Sequence, residues 1–230
     1  MPVALITGAS RGLGLALARD LVADGWTLII DARGADALTQ AAGSLASSSV
    51  VALSGDIADP SHRAALVDAA EQLGGIDLLV NNASVLGASP LPSLGSVPID
   101  TVQATYEVNV FAPLALLQLA LPALRRRHGI VVNITSDAAV EGYAGWGVYG
   151  SSKAALEQLG NVLKEEEPEI RVYTFDPGDM RTQMHQDAFP GEDISDRPEP
   201  ETVVPALRRV ISERPSSGRY RVTDFEVVSR

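Results

Sequence analysis

Three glycines between an apolar run and an amphipathic run most narrowly restrict how this chain can fold. Residues 7–14 read T-G-A-S-R-G-L-G; the apolar residues 3–6 precede them and a helical pattern follows. Glycine permits the tight turn and the close backbone approach that a pyrophosphate needs, and the N-terminus of the next helix offers N–H groups to the anion. The spacing differs from the G-x-G-x-x-G of the common dinucleotide fingerprint, so an ordinary glycine-rich turn is the alternative.

The rest of the chain alternates short apolar runs with longer amphipathic runs. The apolar runs are rich in Val, Ile and Leu with little polar alternation, which is typical of strands buried on both faces of a parallel sheet. We predict strands at residues 3–6, 27–30, 50–53, 78–80, 130–134 and 171–175 and near 220–227. We predict helices at residues 13–24, 35–45, 61–73, about 97–126, 149–166 and 201–213.

This alternation predicts a doubly wound α/β fold, with a Rossmann-like parallel sheet of about seven strands and helices on both faces. The 230 residues show no internal linker or repeat, so we expect a single domain over residues 1–230. Two irregular segments, 84–96 and 178–200, are rich in turn-forming or acidic residues. Long loops inside a compact domain are often lids or binding loops.

The composition excludes several classes of function. The 18 basic and 29 acidic residues give a net charge of −11, which disfavours binding along a nucleic-acid backbone. The absence of Cys excludes disulfides, thiolate metal sites and cysteine nucleophiles, and the 3 scattered histidines do not indicate a metal site. No apolar run reaches about 20 residues and no basic segment precedes the first strand, so we expect a cytoplasmic protein without a membrane span or secretory signal.

Four polar residues form a candidate catalytic group. Tyr149 and Lys153 are four residues apart on a predicted helix, so their side chains share one face. Ser136 follows the fifth predicted strand, at the edge where open α/β sheets bind ligands, and Asn109 lies inside the preceding long helix. A nearby ammonium lowers the pKa of a phenol from its ordinary value of about 10 and makes it a better acid or base near neutrality. The alternative is a capping serine, a packed tyrosine, a surface lysine and a helix kink near Pro113.

The chain resembles the short-chain dehydrogenase/reductase family through several motifs that stand in the family's order. Residues 7–14 match T-G-x-x-x-G-x-G, residues 81–83 read N-N-A after the fourth predicted strand, and residues 177–182 match P-G-x-x-x-T. Residue 84, usually glycine in the family, is serine here. The resemblance extends to about residue 182 and implies a catalytic tetrad formed by Asn109, Ser136, Tyr149 and Lys153.

This resemblance also implies a role for each residue. Tyr149 would exchange a proton with the substrate oxygen during hydride transfer, Ser136 would bind that oxygen, and Lys153 would also hold the nicotinamide ribose. Asn109, through its side chain or a disturbed helix backbone, would hold a water that relays protons to Lys153. The residues expected to bind the dinucleotide are Gly8, Ser10, Arg11, Gly12, Leu13, Gly14, Arg33, Asp56, Ile57, Asn82, Ala83, Lys153, Pro177, Gly178 and Thr182.

The residues after the second predicted strand favour NADP(H) over NAD(H). NAD-preferring relatives end this strand with an acid that binds both ribose hydroxyls; here Ala32 takes that place and Arg33 follows it. An arginine can pair with a 2′-phosphate, and Arg11 in the glycine turn is a second cation near the same phosphate. Asp31 is one residue away, so a shift of one residue in register would reverse the preference, and Arg33 as a solvated loop residue is the other alternative.

We therefore expect an NADP(H)-dependent oxidoreductase that interconverts a carbonyl and a secondary alcohol of a small molecule, without nucleic-acid or membrane partners. The alternative is a non-catalytic dinucleotide-binding regulatory or scaffold protein on the same fold. Long helices of the family often pair between subunits, which implies a homodimer or homotetramer. Residues 179–199 are expected to form a mobile substrate lid. The residues expected to line a partly apolar substrate pocket are Val140, Tyr143, Trp146, Met180, Met184 and Phe189.

Overall fold

The fold is built on one parallel β-sheet. A computed structural model describes residues 1–45 and 48–225. The strands are Val3–Ile6 (β1), Thr27–Ala32 (β2), Val50–Ser54 (β3), Leu78–Asn81 (β4), Ile130–Ile134 (β5), Arg171–Asp176 (β6) and Gly218–Arg221 (β7). Their spatial order is β3-β2-β1-β4-β5-β6-β7, and every neighbouring pair is parallel. The chain therefore changes winding direction between β1 and β4, and open α/β sheets bind ligands beside such a switch point.

Helices cover both faces of this sheet. The α-helices of the described residues are Gly12–Ala23 (α1), Ala35–Ser44 (α2), Pro60–Gln72 (α3), Ile99–Tyr106 (α4), Ala112–Arg127 (α5), Gly147–Glu166 (α6), Gln183–Ala188 (α7) and Val204–Glu213 (α8). A π-helical turn, Glu107–Phe111, joins α4 to α5. Short 3-10 turns cover Asp137–Ala139, Pro200–Thr202 and Val222–Phe225.

Each face of the sheet carries its own apolar core, because successive strand residues point to opposite faces. Leu28 and Ile30 pack with α1 and α8 on one face, whereas Leu5 and Ile29 pack with α3 and α5 on the other. All residues of β1, β2, β4 and β5 are buried. Burial on both faces explains the continuous apolar runs in the sequence, and the predicted fold class is confirmed.

Strand ends differ from the prediction by one or two residues. The strands β2, β3, β4 and β6 continue past their apolar runs to Ala32, Ser54, Asn81 and Asp176. The sequence pattern stops earlier because the added residues are mostly polar. The last strand, predicted near 220–227, is Gly218–Arg221 and is followed by a 3-10 turn. Residues 226 and 227 of that prediction lie outside the described residues.

The long helix predicted at about 97–126 is divided into α4, the π turn and α5. Pro113 stands in the first turn of α5 and has no N–H, so it cannot donate to the carbonyl of Asn109, four residues earlier. The irregular turn therefore falls where an α-helical hydrogen bond is impossible. A further difference is α7, which the sequence analysis treated as part of a loop; the hydroxyl of Thr182 caps it by accepting a hydrogen bond from the His185 N–H.

The combined helix from Ile99 to Arg127 is long and apolar enough to cross a membrane by length and composition. Its most apolar stretch has a mean hydropathy of 1.5 and is 50% buried inside the fold. The core helix of a protein without membrane spans passes the same test, so this helix is weak support for a span.

Candidate active site

A cavity of about 710 Å³ opens at the carboxyl-terminal edge of the sheet. Its wall contains all the residues expected to bind the dinucleotide except Gly14, together with Ser136, Tyr149 and Lys153. Asn109 is fully buried and lies outside the cavity wall. The expected binding and catalytic groups thus share one concave site.

The glycine turn after β1 is held against the segment after β4. Gly8 has a φ of +66°, and a Cβ on it would lie 2.8 Å from the Cα of Ala83, so only glycine fits there. The side-chain amide of Asn82 donates to the carbonyls of Thr7 and Gly8 at 2.8 and 3.1 Å. A Cβ on Gly14 would lie 2.6 Å from the same Asn82 nitrogen. Gly14 and Asn82 therefore fix the shape of the turn, and of the two only Asn82 also lines the cavity.

The turn leads into α1, and the first residues of this helix line the cavity. Arg11 occupies the cap position, and its side chain makes no capping hydrogen bond. Ser10, Gly12 and Leu13 line the adjoining wall. An uncapped helix N-terminus behind a close-packed glycine turn can bind a pyrophosphate, so these residues fit a dinucleotide.

Asp31 and Arg33 both line the cavity at the end of β2, but they differ in exposure and in their partners. Asp31 is 2% exposed; its carboxylate accepts a hydrogen bond from the Gly8 N–H at 2.8 Å and lies 3.2 Å from Nε2 of His62. Burial raises the pKa of Asp31, and the Gly8 N–H and His62 oppose that rise. Both carboxylate oxygens thus have partners within the protein, whereas Arg33 is exposed in the cavity wall.

Two further wall residues follow β3. Asp56 and Ile57 line the cavity, and the Asp56 carboxylate accepts a hydrogen bond from the Ala58 N–H at 2.9 Å. This bond leaves the second carboxylate oxygen of Asp56 available to a ligand.

Tyr149 and Lys153 lie on the buried face of α6 that points into the cavity. Their exposed fractions are 7% and 2%, and the Lys153 nitrogen lies 5.5 Å from the centroid of the Tyr149 ring. Lys153 donates to the carbonyl of Ile134, at the end of β5, at 2.9 Å. This bond fixes the ammonium beside the strand that leads to Ser136.

Burial controls the ionisation of both groups. Burial raises the pKa of the Tyr149 phenol, and the negative charges of Asp176 and Asp137 raise it further. Burial also lowers the pKa of Lys153 to about 8. We expected the lysine to lower the phenol pKa; in the structure, burial of the phenol raises that pKa instead.

The Ser136 hydroxyl is oriented by the residues that follow it. It donates to the Asp137 carboxylate at 2.8 Å and accepts from the Ala138 N–H at 3.2 Å. The same carboxylate accepts a hydrogen bond from the hydroxyl of Tyr143 at 3.0 Å. A substrate oxygen that accepts a hydrogen bond from the Ser136 hydroxyl must therefore replace the Asp137 carboxylate as its acceptor.

The side chain of Asn109 is fully used by the protein. Its oxygen accepts from the Val85 N–H at 2.9 Å and the Ser84 hydroxyl at 3.1 Å. Its nitrogen donates to the Val85 carbonyl at 2.9 Å and the Ser152 hydroxyl at 3.0 Å. These four bonds exhaust an asparagine, so the π-turn backbone, rather than the side chain, is available to hold a water. Ser84, where the family has glycine, was not among the expected site residues.

The segment after β6 closes the far end of the cavity. The Gly178 N–H donates to the Asp176 carboxylate at 3.0 Å, and Gly178 has a φ of +68°. Pro177 lines the wall, as does Thr182, whose hydroxyl accepts the capping bond of α7 and keeps its own proton for a ligand.

The six residues expected to form the substrate pocket lie in different places. Trp146, Met180 and Met184 line the cavity, and Met180 also packs on the core. Phe189 lies outside the wall, with its ring 5.9 Å from that of Trp146. Val140 and Tyr143 are 54% and 43% exposed and also lie outside the wall. Within residues 1–45 and 48–225, no cluster of three or more His, Asp or Glu side chains could hold a metal ion.

Comparisons with known proteins agree on one family. A family model described as short chain dehydrogenase matches residues 2–193. Sepiapterin reductase from Xenopus laevis is 32% identical over 228 residues, which cover 93% of this chain and 83% of that protein. Serine 3-dehydrogenase from Rhizobium radiobacter is 36% identical over 184 residues, which cover 78% and 72%. The structure of an alcohol dehydrogenase from Thermococcus sibiricus, complexed with 5-hydroxy-NADP, has a TM-score of 0.85 at 27% identity and covers 96% of this chain and 95% of that one.

Proposed function

The chain belongs to the short-chain dehydrogenase/reductase family and is an oxidoreductase, and on that premise we propose that it interconverts a carbonyl and a secondary alcohol with NADP(H) as cofactor. The observation that carries the proposal is the position of Tyr149 and Lys153. Both are buried on one face of α6, in the wall of a cavity that also contains Ser136 and the glycine turn. A scaffold protein of this fold would not need a buried ammonium beside a buried phenol.

The cofactor, when bound, supplies or accepts the hydride at its nicotinamide ring. Tyr149 gives a proton from its phenol oxygen to the carbonyl oxygen during reduction and removes it from the alcohol during oxidation. Because burial disfavours the phenolate, the protonated phenol is the resting form at neutral pH and is ready to act as an acid. Ser136 turns its hydroxyl from Asp137 to the substrate oxygen and fixes that oxygen near Tyr149. Lys153 assists through its positive charge, which favours the phenolate left after proton transfer.

Each part of the cofactor would contact a different group of residues in the cavity wall. The N–H groups at the start of α1 would bind the pyrophosphate, Asp56 and Ile57 would contact the adenine, and residues 177, 178 and 182 would contact the nicotinamide end. Lys153 would bind the nicotinamide ribose, within reach of its position beside Ile134.

Preference for NADP(H) is the finer part of the proposal. Its support is that Arg33 is exposed in the cavity wall with Arg11, whereas the carboxylate of Asp31 already has Gly8 and His62 as partners. A 2′-phosphate beside these residues would find two guanidinium groups, and the carboxylate of Asp31 would already be occupied. The related Thermococcus sibiricus structure contains a 5-hydroxy-NADP ligand.

Three further properties belong to the same proposal. Residues 179–199 act as a substrate lid, supported by Met184 in the cavity wall and by the ends of the segment, where Arg181 pairs with Glu199.

The protein forms a homodimer or homotetramer, supported by the exposed apolar side chains of Leu119 on α5 and Val162 on α6. It works in the cytoplasm on small molecules.

The test is the oxidation of NADPH by the purified protein with a panel of carbonyl compounds. The panel contains sepiapterin, simple aromatic ketones and short aldehydes; L-serine with NADP tests the reverse direction. The expected result is turnover of at least one compound by the wild type and by the matched control Tyr106→Phe, with a loss of about 10²–10⁴-fold in Tyr149→Phe. Equal turnover by Tyr149→Phe would remove the role assigned to Tyr149. Cofactor binding without turnover of any compound would favour the non-catalytic alternative.

A further inference from the structure

A buried cluster of charges lies behind the candidate active site, and the mechanism above does not use it. Its centre is Arg219 on β7. The guanidinium donates to the carboxylate of Glu157 at 3.1 Å and to the carboxylate of Asp176 at 2.9 Å. The nitrogen that binds Asp176 also donates to the backbone carbonyl of Ser136 at 3.3 Å.

The cluster is shielded from water. The side chains of Asp176, Glu157 and Arg219 are only 7%, 12% and 22% exposed. Glu157 stands on α6, four residues after Lys153, and also accepts a hydrogen bond from the Thr135 hydroxyl at 2.6 Å. Buried charges require such partners, because an unpaired charge is costly to remove from water. Arg219 is therefore the cation that pairs with both carboxylates next to the site.

Asp176 connects this cluster to the segment that faces the nicotinamide end of the cavity. One of its oxygens binds Arg219 and the other accepts the Gly178 N–H. A single carboxylate thus joins the edge strand β7 to the turn at residues 177 and 178. The contact between Arg219 and the Ser136 carbonyl joins the same strand to the end of β5.

The negative charge of Asp176 also acts on the phenol of Tyr149. The charged groups that act around the phenol come from three elements: Lys153 on its own helix, Asp137 after β5 and Asp176 at the end of β6. Both carboxylates oppose ionisation of the phenol. Arg219 approaches Asp176 from β7 and is positioned to offset one of these two negative charges.

We propose that Arg219 is a positioning residue of the reaction centre: it holds the Asp176 carboxylate and the Ser136 carbonyl in place and offsets the negative charge of Asp176 behind Tyr149. This inference rests on the proposed function, in which Tyr149 is the proton donor and acceptor. It predicts that Arg219 and Asp176 influence the phenol in opposite directions. A purely structural role would disturb the site in the same direction whichever partner is removed.

The test is a fluorine NMR titration of the full chain, which needs no substrate. The 5 tyrosines are replaced by a polyfluorinated tyrosine, whose phenol ionises at lower pH, and the resonance of residue 149 is identified by its loss in Tyr149→Phe. In Arg219→Gln the titration of residue 149 is expected to move up by about one pH unit, and in Asp176→Asn to move down by a similar amount. The control Arg209→Gln, which removes an exposed guanidinium paired with Glu213, is expected to titrate as the wild type.

The double variant keeps the test decisive if Arg219→Gln alone does not fold. Asp176→Asn with Arg219→Gln leaves one buried carboxylate unpaired instead of two, and it is expected to titrate about one pH unit above Asp176→Asn alone. Equal titration of these two variants, or shifts of the same sign in both single variants, would overturn the proposal. A chain that turns over no carbonyl compound but shows the opposite shifts contradicts the proposed function and leaves the role of Arg219 in place.

Discussion

The backbone of Gly150 packs directly against the carbonyl oxygen of Ala138: a Cβ on Gly150 would lie 2.4 Å from that oxygen. Gly150 follows Tyr149 on α6, and Ala138 belongs to the 3-10 turn after Ser136. This close approach sets the distance between the helix that carries the phenol and the strand end that carries the serine hydroxyl.

Gly150→Ala is therefore expected to destabilise the protein by about 1–3 kcal/mol, although glycine to alanine inside a helix ordinarily stabilises it by about 1 kcal/mol. Urea unfolding measures the stability, and turnover should fall as well, because the added methyl group separates Tyr149 from Ser136. Ser151→Ala, exposed one residue further along α6, is the matched control. A gain in stability in Gly150→Ala would contradict the close contact.

Lys153→Met is expected to remove turnover and to raise the free energy of unfolding at pH 7. Burial lowers the pKa of Lys153 to about 8, below its value in the unfolded chain, so the charged form destabilises the fold. The unfolded state binds more protons between these two pKa values, so the stability of the wild type rises with pH across this range, by up to about 1.4 kcal/mol per pH unit.

The measurement is urea unfolding of wild type and Lys153→Met at pH 7 and pH 10. The advantage of the variant should be largest at pH 7 and should shrink at pH 10. Lys164→Met, near the other end of α6, serves as control and should show no such dependence on pH. A variant less stable than the wild type at both pH values would show that the ammonium stabilises the fold.

Arg33→Ala is expected to reduce the affinity for NADPH by about 10- to 150-fold, because a charge-assisted contact to a phosphate contributes roughly 1.5–3 kcal/mol. The affinity for NADH should change little. Titration by nicotinamide fluorescence measures both, with Arg209→Ala as a control that removes an exposed arginine elsewhere. Tighter binding of NADH than NADPH by the wild type would show that Asp31, despite its internal partners, reads the ribose.

The lid proposal predicts slower hydrogen exchange at residues 179–199 when NADP and a turned-over compound are both present. Closure would hold Met184 over the substrate and exclude water from hydride transfer. Residues 179 and 181, near the start of the segment, test the idea most directly, because Asp179 pairs with Arg197 and Arg181 pairs with Glu199 at its other end. Unchanged exchange rates throughout the segment would assign substrate selection to residues 84–96 or 137–147.

The sequence predicted the sheet, its parallel direction and most of the helices, because apolar runs and helical periods follow from local burial. It was less accurate where a strand ends in a polar residue. Asp31 and Asp176 continue β2 and β6, and each is buried only because distant residues bind it: Gly8 and His62 in one case, Arg219 in the other. Partners so far apart in the chain leave no signal in a local pattern.

The site shows the same division. That Tyr149, Lys153 and Ser136 lie in one cavity wall could be predicted from spacing and from their place in the alternation of strands and helices. Ser84 was visible as a departure from the family pattern, but its contact with Asn109 depends on where α4 and the π turn bring that residue. The local sequence indicates the charge cluster around Arg219 only through Glu157, a charged residue on the buried face of α6.

The π turn that carries Asn109 also determines how this chain tolerates insertions and deletions. A π turn contains one residue more than an α-helical turn, so deletion of one residue from Glu107–Phe111 would remove that extra residue, whereas Pro113 would still leave one α-helical hydrogen bond unmade. The same deletion would rotate α4 by about 100° relative to α5. In the present orientation of α4, Thr105 packs so closely on Gly87 that a Cβ on Gly87 would lie 2.6 Å from the Thr105 hydroxyl oxygen. Shortening the helix by one residue would thus remove the π turn at the cost of moving Asn109 away from Ser84 and Ser152.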